Sequence, residues 1–379
     1  MDRPAYIEKI RRQFDVHPVV ALLGPRQCGK TTLARMFAEQ IGEPVVRFDL
    51  EDPTDLAALE QPKLALQSLR GLVVIDEIQR LPDLFPILRV LVDRPDNALR
   101  LLILGSASRD LIRQSSETLA GRIGHIELTP FSIAEIGSSA LDKLWLRGGF
   151  PKSYLAGSEA ASFQWRKDYV ATFLERDLPQ LGIAIPPAML RRFWMMLAHY
   201  HGQVVNFSEL GRSFGAADTT VHRYLDILAA TFMVRQLHPW HANVAKRQVK
   251  APKLYFRDSG LFHFLLGIAN RDALQHHPKL GPSWEGFAIE QIIRMHGAAP
   301  EEAYFWASHG GAEVDLLIVQ GDAPIGYEIK YTERPRTSRS MHAAIETLGL
   351  KELRVVYPGA KSFPLSDNIR AIGFGELFQ

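Results

Sequence analysis

The feature that most constrains this chain is the run Gly24-Pro25-Arg26-Gln27-Cys28-Gly29-Lys30-Thr31, which fills the pattern G-x-x-x-x-G-K-[ST] completely. Such a loop needs a buried strand to enter it and a helix to leave it. Both are present: Val19-Val20-Ala21-Leu22-Leu23 is a continuous apolar run, and Thr32-Leu33-Ala34-Arg35-Met36-Phe37 reads as a helix. In that setting Gly24 and Gly29 let the backbone wrap a triphosphate, with successive N–H groups and the helix N-terminus turned to its oxygens. Lys30 is expected on the β- and γ-phosphates and Thr31 on Mg²⁺. Pro25, Arg26, Gln27, Cys28 and Thr32 complete the ATP-binding set. A glycine-rich turn matching by chance is the competing reading, and the agreement of strand, loop and helix decides against it.

Leu72-Val73-Val74-Ile75-Asp76-Glu77 supports the same reading. Four apolar residues ending in two acids describe a buried parallel strand that delivers carboxylates to the sheet's carboxyl edge, where open α/β sheets bind ligands. Asp76 is expected in the Mg²⁺ shell, and Glu77 as the group that polarises water for attack on the γ-phosphate. A kinase or simple switch has no need of the second acid; an ATPase does. A third strand, Leu101-Leu102-Ile103-Leu104, ends in Gly105-Ser106-Ala107-Ser108. Ser106 is expected to sense water or phosphate there, although either serine could instead cap a helix beginning near Arg109.

Composition matters mainly for what it excludes. The single cysteine, Cys28, rules out a disulfide framework and a cysteine-based zinc site. No apolar run approaches membrane-spanning length, and Met1-Asp2-Arg3-Pro4-Ala5-Tyr6 lacks a signal peptide's core, so a cytoplasmic protein without membrane attachment is expected. A net charge of +2 is too small to mark nucleic-acid binding, so any such footprint must be local.

After the third strand, Leu119-Ala120-Gly121-Arg122 closes a helix, and Ile123 to Leu128 adds the last strand. This arrangement resembles the AAA+ ATPases, in which an arginine at this place reaches the neighbouring subunit's nucleotide. The resemblance implies that role for Arg122 and a homo-oligomeric ring such as a hexamer; a surface salt bridge is the plainer alternative. Residues 131–185 are expected to form a helical lid. Within it Leu146-Arg147-Gly148-Gly149-Phe150-Pro151 resembles the glycine-x-proline element near adenine in relatives of these ATPases. That likeness would make Arg147 a second γ-phosphate sensor and bring Pro151 to the base, whereas a helix-breaking turn explains the same residues.

Residues 186–264 read as a winged helix-turn-helix. Leu210, Val221, Leu225 and Leu228 are expected to point inward. Thr219, Thr220, His222 and Arg223 remain on the outer face of the recognition helix for DNA. Met233 to Phe256 then gives two strands and a basic wing with Lys246, Arg247, Lys250 and Lys253. Such modules also bind proteins.

In residues 265–379 an amphipathic helix, Trp284 to Ile293, precedes two strands, Ala312 to Val319 and Pro324 to Lys330. Strand periodicity puts Glu328 and Lys330 on one face. A helix acid, a strand acid and an acid-x-lysine pair resemble the PD-(D/E)xK nuclease fold. The resemblance implies that Glu285, Asp315 and Glu328 hold Mg²⁺ or Mn²⁺ while Lys330 orients the attacking water. Glu290 competes with Glu285 for the helix position, and an exposed strand pair with solvated charges is the bland alternative.

The whole chain resembles the bacterial and archaeal AAA-type ATPases that carry a C-terminal domain of unknown function. The shared words are G-P-R-Q-C-G-K-T-T, V-V-I-D-E-I-Q, L-A-G-R, R-G-G-F-P and E-V-D…Y-E-I-K. The expected fold class is α/β: a P-loop AAA+-type core over residues 1–130, the lid, the winged helix, then an α/β nuclease-like domain. Two functions fit. One is an ATP-hydrolysing DNA motor or remodeller, acting on branched, Holliday-junction-like DNA and carrying the nuclease-like site. The other is a nucleotide-dependent signalling or defence switch whose C-terminal module only binds a partner or nucleic acid.

Overall fold

The computed structural model describes residues 1–379 except 96–97, 108–116, 241–250, 309, 322 and 379. Ser108, Arg109 and the wing residues Lys246, Arg247 and Lys250 therefore lie outside the described residues. The chain forms two compact units. The first is Met1–Pro130 with Glu175–Ala184 and Ala230–Phe232; the second is Phe131–Leu174, Ile185–Ala229 and Met233–Gln379. Residues 131–185, expected as a lid, are thus divided between the two.

The first unit is built on β1 (Val19–Leu23), β2 (Val45–Asp49), β3 (Gly71–Asp76), β4 (Leu99–Gly105) and β5 (Ile123–Glu127). All pair in parallel in the order β2-β3-β4-β1-β5. Strands buried on both faces read as unbroken apolar runs, which is why Val-Val-Ala-Leu-Leu and Leu-Val-Val-Ile form the centre. Alternation decides which helix each side chain meets. Val19, Ala21, Val73, Ile75, Leu101 and Ile103 pack with Phe85 and Leu88 of the helix Leu84–Val92. Val20, Leu22, Leu72, Val74, Leu102 and Leu104 pack with Leu33 and Phe37 of Lys30–Glu39 and Ile10 of Pro4–Phe14. Because β4 lies between β1 and β3, the loop after Leu23, the acids after Ile75 and the serine after Gly105 emerge side by side at one edge.

The second unit holds a nine-stranded mixed sheet. Its strands are β6 (Gln203–Val204), β7 (Val234–Pro239), β8 (Lys253–Phe256), β9 (Ala303–Ala307), β10 (Glu313–Ile318), β11 (Ile325–Ile329), β12 (Leu353–Tyr357), β13 (Phe363–Ser366) and β14 (Ile369–Gly373). They run β13-β14-β12-β11-β10-β9-β7-β8-β6. Helix Pro187–His199 precedes β6, and helices Phe207–Phe214 and Asp218–Ala230 separate β6 from β7 and β8; β8 pairs antiparallel with both β6 and β7. Asn206 caps the second helix by accepting from Glu209 N at 3.1 Å, and Gly215, at φ 77°, ends it. Leu210, Val221, Leu225 and Leu228 are fully buried, while Thr219, His222 and Arg223 are exposed and Thr220 half-buried. The sheet then continues without a break: His238 and Pro239 of β7 pair in parallel with Tyr304 and Phe305 of β9. Leu280–His296 covers one face of β10 and β11, and Arg339–Leu348 the other.

Among the described residues, two histidines are fully enclosed in this unit. His201 Nδ1 accepts from Phe256 N at 3.0 Å and its Nε2 faces Pro282 O at 3.1 Å. His263 Nδ1 faces Leu146 O at 3.0 Å and its Nε2 the Ser283 hydroxyl at 2.7 Å. Burial disfavours the charged ring and lowers both to about 3. The unfolded chain takes up these protons near pH 6.5 and the folded chain does not, so their contribution is complete above that pH and is lost as pH falls toward 3. Acidifying from pH 7 to 5 is expected to cost about 1–2 kcal/mol per histidine. His201→Gln and His263→Gln should each flatten that pH dependence in denaturant titrations of the whole protein; an unchanged slope would count against neutral burial.

Candidate nucleotide site and a second acidic cluster

The loop Gly24–Lys30 has the backbone that its sequence demands. Gly29 adopts φ 103°, open only to glycine, and a Cβ on Gly24 would lie 2.2 Å from Leu128 O. Any side chain at Gly24 would therefore collide with backbone. Lys30 is buried, and its Nζ donates to Gly24 O at 2.9 Å and Pro25 O at 3.0 Å. Thr31 Oγ1 donates to Asp76 Oδ2 at 2.6 Å, so the hydroxyl and carboxylate expected to share Mg²⁺ are already adjacent. Burial pushes the Asp76 carboxyl up, opposed by the Thr31 hydrogen bond and Lys30. One carboxylate and one hydroxyl at a phosphate cradle suit Mg²⁺, which keeps several waters and takes its remaining ligands from the nucleotide.

Glu77 adopts φ 55°, a left-handed conformation that costs a residue with a side chain about 1–3 kcal/mol. Its Oε2 accepts from the Ser106 hydroxyl at 3.2 Å and from the Gln79 amide, which also donates to Ser106 Oγ at 3.0 Å. Asp76, Glu77 and Ser106 thus stand where the three strand ends meet. Cys28 is fully buried, facing Leu128 O at 3.5 Å, and burial raises its thiol pKa, so it is not a reactive lining group. Arg26 is also buried, and it turns from the loop toward acids. It donates to Asp177 Oδ1 at 2.7 Å, Glu51 Oε1 at 3.1 Å and Gln180 Oε1 at 2.6 Å, and lies 3.6 Å from Glu77 Oε2. Burial disfavours its charge, and Glu77, Asp177 and Glu51 outweigh that and raise its pKa. Sequence reasoning missed this clamp because Arg26 and Asp177 are 151 positions apart.

Arg122 stands at the amino end of β5, with the loop beyond the carboxyl end of neighbouring β1. Five residues of strand span roughly 16 Å, so Arg122 cannot serve this chain's own nucleotide. It is exposed and paired with Asp93, and its Nη1 donates to Ala120 O at 3.0 Å. The sensor reading of Arg147 is corrected. Its side chain is buried and bound within the second unit to Glu159 Oε1 at 2.7 and 3.0 Å and to Ala156 O at 2.6 Å, which leaves no nitrogen free to seek phosphate. Pro151 opens the short helix Pro151–Tyr154, the place in a helix where its missing N–H costs nothing.

The second cluster gathers around β10. A register shift between Val314 and Leu317 marks a bulge, and Asp315 lies inside it. Asp315 Oδ2 accepts from Ile329 N at 2.8 Å, which sets its carboxylate beside β11. Glu328 is buried, with Oε1 2.6 Å from Lys330 Nζ. Glu285 reaches the same place from the helix Leu280–His296 and accepts from Tyr255 OH at 2.6 Å. Glu290 does not join them: it pairs with Arg235 and lies 3.7 Å from Arg257 Nε and Arg294 Nε. Burial, then the neighbouring Asp315, push Glu285 and Glu328 well above the usual carboxylate range.

The expected metal set is corrected on one further residue. Lys253, assigned from sequence to the basic wing, is buried on β8 with its ammonium inside this cluster. It pairs with Glu313 and lies 3.7 Å from Asp315 Oδ1 and 3.9 Å from Glu285 Oε1. Burial works against its charge, and Asp315, Glu285 and Glu313 more than restore it. Among the described residues no three His, Cys, Asp or Glu side chains are disposed to hold a metal ion. Asp315 is close enough to Glu285 and Glu328 to raise the pKa of both, and with Lys253 among them the described side chains do not form a site for Mg²⁺ or Mn²⁺.

Residues 16–137 match the family model described as an AAA domain, 138–272 a domain of unknown function (DUF8612) and 280–377 another (DUF4143). Two curated relatives are the uncharacterized proteins Mb2031c of Mycobacterium bovis and Rv2008c of Mycobacterium tuberculosis. Each is 52% identical over 364 residues, covering 96% of this chain and 82% of theirs. The chain belongs to their family. This chain carries an AAA-type P-loop ATPase core followed by a C-terminal domain of unknown function. Among solved structures, the Walker-type ATPase PABY2304 of Pyrococcus abyssi is 14% identical, covering 70% of this chain and 95% of that one, with a TM-score of 0.49. The Thermotoga maritima RuvB Holliday junction branch migration motor is 19% identical, covering 62% and 86%, with a TM-score of 0.28. Both likenesses are too partial to speak for function. No helix among the described residues is long and apolar enough to cross a membrane.

Proposed function

We propose that the first unit binds ATP and Mg²⁺ in the loop Gly24–Thr31 and hydrolyses ATP with Glu77 as general base. The observation that carries this is the convergence of Thr31, Asp76, Glu77 and Ser106 at one sheet edge. Thr31 and Asp76 would hold Mg²⁺, which would supply positive charge against the charge developing on the phosphates. Lys30 supplies a cation to the phosphates, and Glu77 takes the proton from water while Ser106 fixes its carboxylate. Arg26 restrains Glu77 in the arrangement described above, which supports a second reading, a nucleotide switch that turns over slowly until the clamp opens. Mg²⁺-dependent phosphate release, absent in Lys30→Ala, tests the first reading. A single turnover followed by arrest with ADP bound would favour the second.

DNA is the proposed partner of the helix Asp218–Ala230. Its outer face presents Thr219, His222 and Arg223 beside Thr220, over a hydrophobic underside held by Val221, Leu225 and Leu228. Three helices with a three-stranded antiparallel sheet support the winged-helix reading. Arg223→Ala should weaken duplex binding several-fold and lower the salt slope of the binding constant by about one. Unchanged affinity and slope would assign this face to a protein partner instead. A homo-oligomer is supported by Arg122, which lies too far along β5 to act in its own subunit. ATP turnover per chain that rises with protein concentration would test it. No cleavage step is assigned to the acidic cluster, because its geometry does not fit the ion that such a step requires.

A further inference from the structure

All four residues of β8 are buried, and Lys253 and Tyr255, two positions apart, share the face turned to the acids. Tyr255 OH donates to Glu285 Oε1 at 2.6 Å. Lys253 Nζ pairs with Glu313 and stands within 4 Å of both Asp315 and Glu285. The other groups are also committed: Asp315 Oδ2 to Ile329 N, Glu328 Oε1 to Lys330. Among the buried oxygens of the cluster only Glu328 Oε2 has no hydrogen-bond partner. A hard divalent ion wants about six oxygens at roughly 2.0–2.6 Å around one point. Here the space between Glu285 and Asp315 belongs to an ammonium, and a divalent ion beside it would meet a like charge in a poorly solvated place.

We propose that Lys253 is the resident cation of this cluster, standing where a divalent metal would stand, and that the acids serve to fasten β8 to β10 and to the helix Leu280–His296. The grouping of Glu285, Asp315, Glu328 and Lys330 is then an internal ionic lock, and the residue that made it one lies on the strand that closes the β7–β8 hairpin. Replacing that lysine by an uncharged side chain of similar length leaves Glu285, Glu313 and Asp315 without the cation they face, while Lys330 stays with Glu328. With Mn²⁺ supplied those three acids take the metal, so the Lys253→Met protein becomes a cation site.

The experiment measures Mn²⁺ binding by electron paramagnetic resonance on the full chain without nucleotide. It compares the wild type, Asp315→Asn, Lys253→Met and the double variant. Ions held elsewhere are common to all four and cancel. Wild type and Asp315→Asn should bind equal Mn²⁺, Lys253→Met about one equivalent more, and the double variant should lose that gain. A wild type that binds one equivalent more than Asp315→Asn overturns the proposal, and so does a folded Lys253→Met protein with no gain. Should Lys253→Met fail to fold, a wild-type crystal soaked in Mn²⁺ decides. An anomalous peak among Glu285, Asp315 and Glu328 overturns the proposal, whereas no peak with the lysine in place upholds it.

Discussion

Glu77→Gln is expected to bind ATP with near-normal affinity and to hydrolyse it about 10²- to 10⁴-fold more slowly. The amide keeps the size of the side chain and can still accept from Ser106 Oγ, 3.2 Å away in the native protein, so the site should keep its shape. What it loses is the ability to take a proton from water, an interaction made only as the reaction proceeds. Lys30→Ala should fail earlier, at binding, because the buried ammonium inside the loop would meet the phosphates already in the ground state under the proposed function. Nucleotide titration beside phosphate release separates the two. Wild-type turnover in Glu77→Gln would remove Glu77 from the mechanism.

Arg26→Ala is expected to destabilise the first unit by about 3–5 kcal/mol. Its guanidinium is the partner of Asp177 at 2.7 Å, and Asp177 is only 2% exposed. Without it the buried carboxylate keeps, among the described residues, only an ion pair with Arg176, which is largely in solvent. Arg26→Lys should recover part of the loss, since an ammonium restores charge but not the fork that reaches Asp177, Glu51 and Gln180 together. Denaturant unfolding of the two variants against wild type measures this. A loss below about 1 kcal/mol for Arg26→Ala would mean that the acids relax into water and that the clamp is a surface feature.

The parts of the molecule legible in the sequence are those written in local spacing. An apolar run, a loop and a helix within twenty residues of one another specify β1, the phosphate cradle and Lys30–Glu39, and the four apolar residues before Asp76 specify β3. The acids of the second cluster were singled out through the resemblance to the PD-(D/E)xK fold, since strand periodicity alone puts only Glu328 and Lys330 on one face. Their counter-cation was not. Lys253 follows a basic stretch and looks like more of it, yet it begins a strand whose remaining residues, Leu254, Tyr255 and Phe256, are all apolar or aromatic, the one local hint that its own side chain is enclosed. Arg26 failed for a different reason. Its place in the loop suggested phosphate, and the acid that claims it comes from Glu175–Ala184, a segment whose return to the first unit no spacing announces.

The parallel pairing of β7 with β9 bears on how this polypeptide can be divided. The regions matched as separate domains of unknown function end at 272 and begin at 280, and that seam falls inside a single sheet, with β6, β7 and β8 upstream and β9 to β14 downstream. A fragment starting at 280 would expose the backbone edge of Ala303–Ala307, an aromatic-rich strand suited to joining a copy of itself. It would also carry Glu285, Glu313 and Asp315 away from the lysine that neutralises them. The two regions are therefore one folding body: the β7–β9 pairing and the Lys253–Glu313 ion pair each take one member from either side of the seam.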